Sequence, residues 1–268
     1  MDGAGVHLNR VFGNSEVPNF DPFLLLDAFG SKNKSEYIKG FPWHPHRGIE
    51  TITYLLKGSV EHGDSMGNSG VIATGDVQWM TAGSGIIHQE MPKGNNDDGV
   101  YGFQLWANLP KSHKMMPPRY QEIKSSEIPE IITEHNVKIK IICGTVNETS
   151  GPVKDIVTNP EYLDISIPSE TSWKYLINED HCCFAYVYEG SISFSHNEGK
   201  EVSAGSVVLF EKGDSIEFSA KKENAKFILI SGMPIGEPIA WYGPIVMNTD
   251  EEIDTAFEEY NNGTFVKK

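Results

Sequence analysis

A weak internal repeat constrains the fold of this chain more than any other feature of its sequence. Residues 55–60 (LLKGSV) resemble residues 187–192 (VYEGSI), and a Gly-x-Val segment follows in each half, at Gly75 and at Gly205. One more glycine comes after it in both copies, and the separations between these landmarks differ by only two residues. Self-similarity at this period predicts two homologous structural units in tandem.

Short runs of β-branched and aromatic residues, separated by glycine and proline, fill both halves of the chain. Closely spaced short strands with turn residues between them are typical of an all-β sandwich or barrel. The segment 111–129, rich in Pro, Ser and Lys, is the expected junction between the two units. We therefore predict one barrel over residues 1–115 and a second over 116–268, with short segments able to cross between them. The clearest strand candidates are residues 51–56, 138–143, 184–188 and 226–230.

The end of the chain carries the one strong helix signal. Thr249 and Glu252 have the spacing of a capping box, in which each residue binds the backbone of the other. Apolar residues then recur at helical spacing, and Asn261, Asn262 and Gly263 supply an end signal. We expect a short C-terminal helix that packs on a barrel. The apolar stripe is formed by Ile253, Ala256, Phe257 and Tyr260.

Composition excludes several classes of function. No apolar run approaches the roughly 18 residues of a membrane helix, and residues 1–10 lack the apolar stretch of a secretory signal, so an intracellular, cytoplasmic protein is expected. The net charge of −15, with no basic stripe, disfavours direct binding to nucleic acid. Cys143, Cys182 and Cys183 show no disulfide or zinc pattern and are expected to be reduced thiols. A monomer is expected.

Two pairs of side chains point to a single metal site. His44 and His46 are separated by one residue, so both imidazoles project from the same face of a strand. His88 and Glu90 repeat this spacing after a glycine-rich turn at residues 82–85, and neighbouring antiparallel strands would direct both pairs into one barrel lumen. Three imidazoles and one carboxylate suit iron(II), copper(II), nickel(II), manganese(II) or zinc(II).

The second half of the repeat has no such set. An alignment through the shared glycines places Leu176 and Asn178 opposite the first pair of the metal site, and Phe218 and Ala220 opposite the second pair. None of these side chains is a usual ligand of a transition metal. We therefore expect the second barrel to be free of metal.

Several motifs resemble the signature of the pirins, proteins with two barrels of the cupin superfamily. The resemblance covers nearly the whole chain. It departs from the family pattern at the start of the chain and in the diverged second half. The matching runs are residues 21–27 (DPFLLLD), 44–51 (HPHRGIET), 75–83 (GDVQWMTAG), 88–92 (HQEMP), 104–110 (QLWANLP) and 243–249 (GPIVMNT).

This resemblance implies two tandem cupin barrels of the jelly-roll type and metal ligands at His44, His46, His88 and Glu90, with Fe(II) as the usual ion. The general cupin pattern would instead offer Glu50 as the carboxylate, because it follows the two histidines at the usual spacing and is expected to share their strand parity. On the pirin pattern Glu50 becomes a side chain that orients a ligand or an outward partner for Arg47.

Two functions follow from the resemblance. One is a quercetin 2,3-dioxygenase reaction, in which a flavonol and O₂ give ring opening with release of CO, and Glu90 acts as the base for the flavonol hydroxyl. The other is an iron-dependent regulatory protein that binds a transcription factor or a metabolic enzyme. The partner is accordingly a flavonol-like small molecule or a protein, and the sequence names no substrate-binding residue.

Overall fold

The computed structural model describes residues 2–94, 99–194 and 200–267, which fold mainly as antiparallel β-sheet. The chain divides into two compact units. The first unit comprises Met1–Ser125 and Ile235–Lys268, and the second comprises Ser126–Pro234. None of the helices in the described part of the chain has the length and apolar character needed to cross a membrane. Cys143 and Cys183 are buried and Cys182 is half-buried.

The first unit contains a six-stranded sheet in the order β1-β2-β9-β4-β7-β10 and a four-stranded sheet in the order β3-β8-β5-β6. A hairpin of β23 and β24 and the helix α1 complete it. A 3-10 turn lies at Lys34–Glu36. The strands are β1 (Leu8–Phe12), β2 (Phe23–Ser31), β3 (Phe41–His46), β4 (Ile49–Lys57), β5 (Ser59–Asp64), β6 (Ser69–Ala73), β7 (Val77–Thr81), β8 (Ile86–Lys93), β9 (Val100–Asn108), β10 (Arg119–Ile123), β23 (Ala240–Tyr242) and β24 (Ile245–Met247), and α1 spans Asp250–Asn261.

The second unit has the same two kinds of sheet, in the orders β11-β12-β15-β22-β17-β20 and β16-β21-β18-β19. A small hairpin of β13 and β14 is added, and a 3-10 turn at Ser125–Glu127 lies where the chain passes from the first unit to the second. The strands are β11 (Glu130–Ile132), β12 (Lys138–Cys143), β13 (Thr145–Val146), β14 (Thr149–Ser150), β15 (Glu161–Ile167), β16 (Thr171–Leu176), β17 (Cys182–Glu189), β18 (Ser191–Phe194), β19 (Glu201–Ser203), β20 (Ser206–Leu209), β21 (Ser215–Ala220) and β22 (Ala225–Gly232).

The strand orders confirm the internal repeat. Strands β1 to β9 follow the same path through their two sheets as β12 and β15 to β22 follow through theirs. The matched glycines lie at equivalent turns: Gly58 joins β4 to β5 and Gly190 joins β17 to β18. Both have positive φ, of 89° and 71°, a conformation that favours glycine over residues with a Cβ atom. The prediction of all-β structure in two similar barrels is therefore confirmed.

The end of the chain belongs to the first unit, which corrects the expected division at residue 115. Residues from Ile235 onward pack with the first barrel, and the boundary between the units lies after Ser125. The physical reason is that α1 buries Ile253 and Ala256 against the β23-β24 hairpin, in a cluster that also takes in Ile87 of β8. The predicted capping box is present, with Thr249 and Glu252 each bound to the backbone of the other.

Candidate metal centre

Three histidines of the first unit come together between two paired strands. His44 and His46 lie on β3 and His88 lies on β8, where His44 and His88 are register partners. The ligand atoms of the three imidazoles all lie within 4.8 Å of one another. Because the side-chain period of a strand is two, the single residue between His44 and His46 places both rings on one face. The sequence prediction that these histidines share one site is consistent with this geometry.

Backbone carbonyls orient two of the rings. Nδ1 of His44 lies 2.8 Å from the carbonyl oxygen of Pro42, and Nδ1 of His46 lies 3.1 Å from that of Pro244. A carbonyl oxygen only accepts, so each Nδ1 carries the proton and each Nε2 keeps its lone pair. The two Nε2 atoms face each other at 3.1 Å. This tautomer is the one that an imidazole needs to bind a cation through Nε2.

His88 is the deepest of the three histidines. Its side chain is buried, and neither ring nitrogen has a hydrogen-bond partner among the described residues. Burial, reinforced by His46 and His44, holds the pKa of His88 well below its usual value. Burial and the neighbouring His44 likewise lower the pKa of His46 to about 3. The buried rings are therefore neutral at physiological pH, and the unpartnered nitrogens of His88 fit a bound metal ion.

Glu90 is next to this group without being part of it. Its side chain is buried, its Oε1 accepts a hydrogen bond of 3.3 Å from the Thr53 hydroxyl, and its Oε2 accepts one of 3.1 Å from the Gln104 amide. The mutually close set of ligand atoms consists of the three histidines alone. Glu90 nevertheless faces the same cavity as His44 and His46. The structure thus places a buried carboxylate with two neutral donors beside the imidazoles.

The Glu50 side chain does not share the face of His44 and His46, contrary to the prediction from strand parity. The chain turns at Gly48, whose φ is +78° and whose Cβ, if present, would collide with the carbonyl oxygen of Val246. The parity count from β3 therefore ends before β4. Glu50 is buried and accepts a hydrogen bond of 2.6 Å from the hydroxyl of Thr81. It lies three residues before Thr53, so the two side chains are on opposite faces of β4.

Arg47 corrects the other expectation for Glu50. The Arg47 guanidinium is buried and forms an ion pair of 2.6 Å with Glu259 of α1, while Glu50 itself is not on the surface. Arg47 is thus paired with the C-terminal helix. Burial raises the pKa of the Glu50 carboxyl, and the hydrogen bond from Thr81 partly offsets this increase.

An aromatic cavity of about 740 Å³ opens beside the histidines. His46, His44 and Glu90 line it together with Trp106 and Trp241. The Trp106 ring meets His46 edge to face at 5.0 Å and lies 6.0 Å from Trp241. The rim carries two large exposed aromatic side chains, Trp43 at 52% and Tyr242 at 69% exposure. A cavity of this size, apolar with a few polar groups, suits a small aromatic ligand.

The remaining histidines are distributed elsewhere. His62 lies 2.9 Å from Glu122, and Asp64, on the same strand, accepts hydrogen bonds from backbone N–H groups of the following turn. His181 contacts the Ser231 hydroxyl in the second unit. His196 is outside the described residues. The other three, exposed on the surface, are His7, His113 and His135.

The structure revises the alignment of the second barrel. Phe218 pairs with Trp173, as His88 pairs with His44 in the first unit. The residues equivalent to the two β3 histidines are therefore Trp173 and Tyr175, three positions before those that the glycine spacing indicated. Trp173 stacks on Phe218 with ring centroids 5.7 Å apart. Aromatic packing occupies the place that imidazoles have in the first barrel.

Sequence reasoning missed the side chains that surround the imidazoles. Thr53 and Gln104 hold Glu90, and Trp106 and Trp241 flank the cavity. Gln104 and Trp106 belong to the run QLWANLP, whose alternation puts both on one face of β9. The spacing of two residues between Gln104 and Trp106 was the sequence signal that could have identified both side chains.

Two similar antiparallel barrels, with a cluster of imidazoles in the first, define a protein with two cupin domains. Comparison with known proteins gives the family. The sequence matches the family model described as Pirin over residues 5–107 and the one described as the Pirin C-terminal cupin domain over residues 162–266. The chain therefore belongs to the pirin family.

Relatives from distant organisms agree with this assignment. The chain is 42% identical to a pirin-like protein of Caulobacter vibrioides over 98% of its length and 94% of that protein. It is 38% identical to the pirin of Mus musculus, over 97% and 88% of the two chains. Among solved structures, quercetin 2,3-dioxygenase from Acinetobacter baumannii is 34% identical, with a TM-score of 0.88 over 99% of this chain and 93% of that one.

Proposed function

We propose that this pirin is a metal-dependent dioxygenase of the quercetin 2,3-dioxygenase type. The observation that carries the proposal is the set of three imidazoles, with ligand atoms within 4.8 Å of one another, at the wall of an aromatic cavity of about 740 Å³. The similarity to a structure that bears the name quercetin 2,3-dioxygenase, at 34% identity over 99% of the chain, supports it.

The proposed ligands of the metal are His44, His46, His88 and Glu90. The unpartnered nitrogens of His88 and the facing Nε2 atoms of His44 and His46 support this assignment. Neutral imidazoles with one carboxylate suit Fe(II), nickel, copper, manganese and zinc, and the resemblance to the pirins selects Fe(II) among these ions for the proposal. Four protein ligands leave positions for a substrate on an ion that takes up to six.

In this proposal the metal ion, Glu90 and the two tryptophans of the cavity each have a separate role. A bound divalent ion supplies Lewis acidity toward a chelated hydroxyl and, where it is redox-active, reactivity toward dioxygen. Glu90 accepts the proton of the flavonol 3-hydroxyl, since Thr53 and Gln104 each occupy one lone pair of the carboxylate and leave one lone pair for the ion and one for the proton. Trp106 and Trp241 offer flat apolar surfaces that align a planar substrate beside the imidazoles.

The test is an assay of flavonol consumption. Protein loaded with Fe(II) under nitrogen is mixed with quercetin and exposed to air, and the flavonol absorbance and the CO in the headspace are measured. We expect the quercetin absorbance to fall and one CO to be formed for each quercetin consumed. His88→Ala should lose this activity. His181→Ala, which changes a histidine outside the site, is the matched control. Iron-loaded protein that leaves quercetin intact would contradict the proposal.

A titration under nitrogen separates this function from the regulatory one. A flavonol that binds the metal changes its absorption spectrum, whereas a regulator that presents its metal state to a protein has no need of flavonol binding. If quercetin gives no spectral change with iron-loaded protein, the regulatory function becomes the better explanation of the site.

A further inference from the structure

A charged cluster of Arg10, Asp27 and Asp2 faces the same cavity, from strands β1 and β2 and the segment before β1, which carry none of the metal-site residues. Arg10 of β1 binds Asp27 of β2 in a bidentate pair, Nε to Oδ1 at 2.9 Å and Nη2 to Oδ2 at 2.8 Å. Nη2 also donates to Oδ2 of Asp2 at 3.0 Å. All three residues line the cavity. The proposed dioxygenase chemistry uses none of them.

This cluster is connected to the metal site by a row of register partners. Arg10 pairs with Asp27, Asp27 with Gln104, and Gln104 with Thr53, across β1, β2, β9 and β4. Directly opposed residues of neighbouring strands project from the same face of a sheet. Strands lie about 5 Å apart, so β1 is roughly 10 Å from β9, where Gln104 donates to Glu90. The row thus spans the length of a two-ring or three-ring aromatic molecule.

The pair retains hydrogen-bonding capacity. A carboxylate offers about four lone-pair positions, and Arg10 occupies one on each oxygen of Asp27. Nη1 of Arg10 has no hydrogen-bond partner within the described ranges. The cluster can therefore both accept from and donate to a ligand. Two carboxylates accompany one guanidinium, so this end of the cavity disfavours a ligand with a carboxylate and favours neutral hydroxyl groups.

We propose that Arg10 and Asp27 form a second anchor of the cavity, which binds the phenolic hydroxyl groups on the end of an aromatic ligand opposite its metal-chelating end. The pattern of one acceptor and one donor matches two adjacent hydroxyls, in which one O–H donates to Asp27 and the neighbouring oxygen accepts from Arg10. This inference rests on the proposed function, and it narrows the substrate class to flavonols that carry hydroxyl groups on the ring away from the metal.

Binding without turnover tests the anchor separately from the chemistry. Zinc-loaded protein, which lacks redox chemistry, is titrated by calorimetry with quercetin and with 3-hydroxyflavone, which shares the chelating oxygens but has no other hydroxyl. We expect quercetin to bind about tenfold or more tightly than 3-hydroxyflavone, the usual gain from a hydrogen bond to a charged group. In Asp27→Asn and in Arg10→Gln, the dissociation constants of quercetin and 3-hydroxyflavone should differ by no more than about twofold.

The matched control is Glu61→Gln, which removes an ion pair with Lys93 on the same unit, outside the cavity. It should leave the ratio unchanged. Equal affinity of the wild-type protein for both flavonols, or an unchanged ratio in both anchor variants, would overturn the proposal. If the anchor variants behave as expected but iron-loaded protein consumes no quercetin, the anchor stands and the dioxygenase function fails. If iron-loaded protein consumes both flavonols with equal kcat/KM, the dioxygenase function stands and the anchor fails.

Discussion

The Nε2 atoms of His44 and His46 face each other at 3.1 Å, while both Nδ1 atoms are bound to backbone carbonyls. Two lone pairs directed at each other repel, because neither atom has a proton to share. A cation between them turns this repulsion into attraction, and the nearby nitrogens of His88 add a third donor. The local fold thus holds the three rings in an arrangement that is unfavourable without a metal ion and favourable with one.

A divalent metal should therefore stabilise the protein against heat. A ligand that binds only the native state at one hundred times its Kd adds about 2.7 kcal/mol. At about 2–4 °C per kcal/mol, the melting temperature should rise by roughly 5–10 °C on adding nickel or zinc to chelator-treated protein, as measured by calorimetry.

His88→Ala should lose most of this rise, since it removes one of the three imidazole donors. His181→Ala is the control, because that imidazole contacts Ser231 in the second unit. The same rise in His88→Ala as in the wild type would show that the metal binds elsewhere.

Gln104→Leu should weaken metal binding while the three histidines remain in place. The substitution removes the amide that donates to Oε2 of Glu90 and leaves only the Thr53 hydroxyl on that carboxylate. Loss of a group that orients a ligand typically costs 10–100-fold in metal affinity. Competition with a chromogenic chelator measures the change. Gln121→Leu, on the edge strand β10 of the same sheet and absent from the cavity wall, is the control, and equal affinities in the two variants would contradict the role of Gln104.

The histidines could be predicted because their signal is local. A strand repeats every two residues, so the spacing of His44 and His46 fixes their common face without knowledge of the fold. Glu50 shows where this reasoning ends, since a turn at Gly48 breaks the parity count. The row formed by Arg10, Asp27 and Gln104 depends on the register between strands distant in the sequence, which no local pattern reveals.

The repeat was predictable and its details were not. Glycines at tight turns keep their spacing, because only they adopt the required φ without strain, and they locate equivalent strands. The segment between the equivalent of His44 and the shared glycine is longer in the second unit than in the first. The predicted equivalent of His44 was therefore Leu176, three positions after the observed one, Trp173. The return of the chain to the first barrel after Ile235 likewise depends on packing between distant segments.

Thr249→Ala should destabilise the first unit by about 1 kcal/mol. The Thr249 hydroxyl accepts from the backbone N–H of Glu252, and removal of such a cap leaves that donor without its partner. Urea denaturation should show a lower midpoint with an unchanged m value. Thr255→Ala, within the same helix and exposed, should keep or slightly raise stability because alanine is the better helix former. A lower midpoint for both variants would indicate that the cap has no special role.

Glu259→Gln should remove a pH-dependent contribution to stability. Although its partial burial acts in the opposite direction, hydrogen bonds from Lys267 and Arg47 lower the pKa of Glu259 below its usual value of 4.5. The stabilisation is therefore present above the unfolded-state pKa and is lost as the pH falls through the lower folded-state pKa. We expect the wild type to exceed Glu259→Gln by about 1–2 kcal/mol at pH 7, and the difference to shrink below about pH 4.5. Urea titrations between pH 3 and 7 measure it, with the exposed Glu258→Gln as control. A difference that is constant over this range would show that the Arg47 ion pair does not link protonation to the docking of the helix.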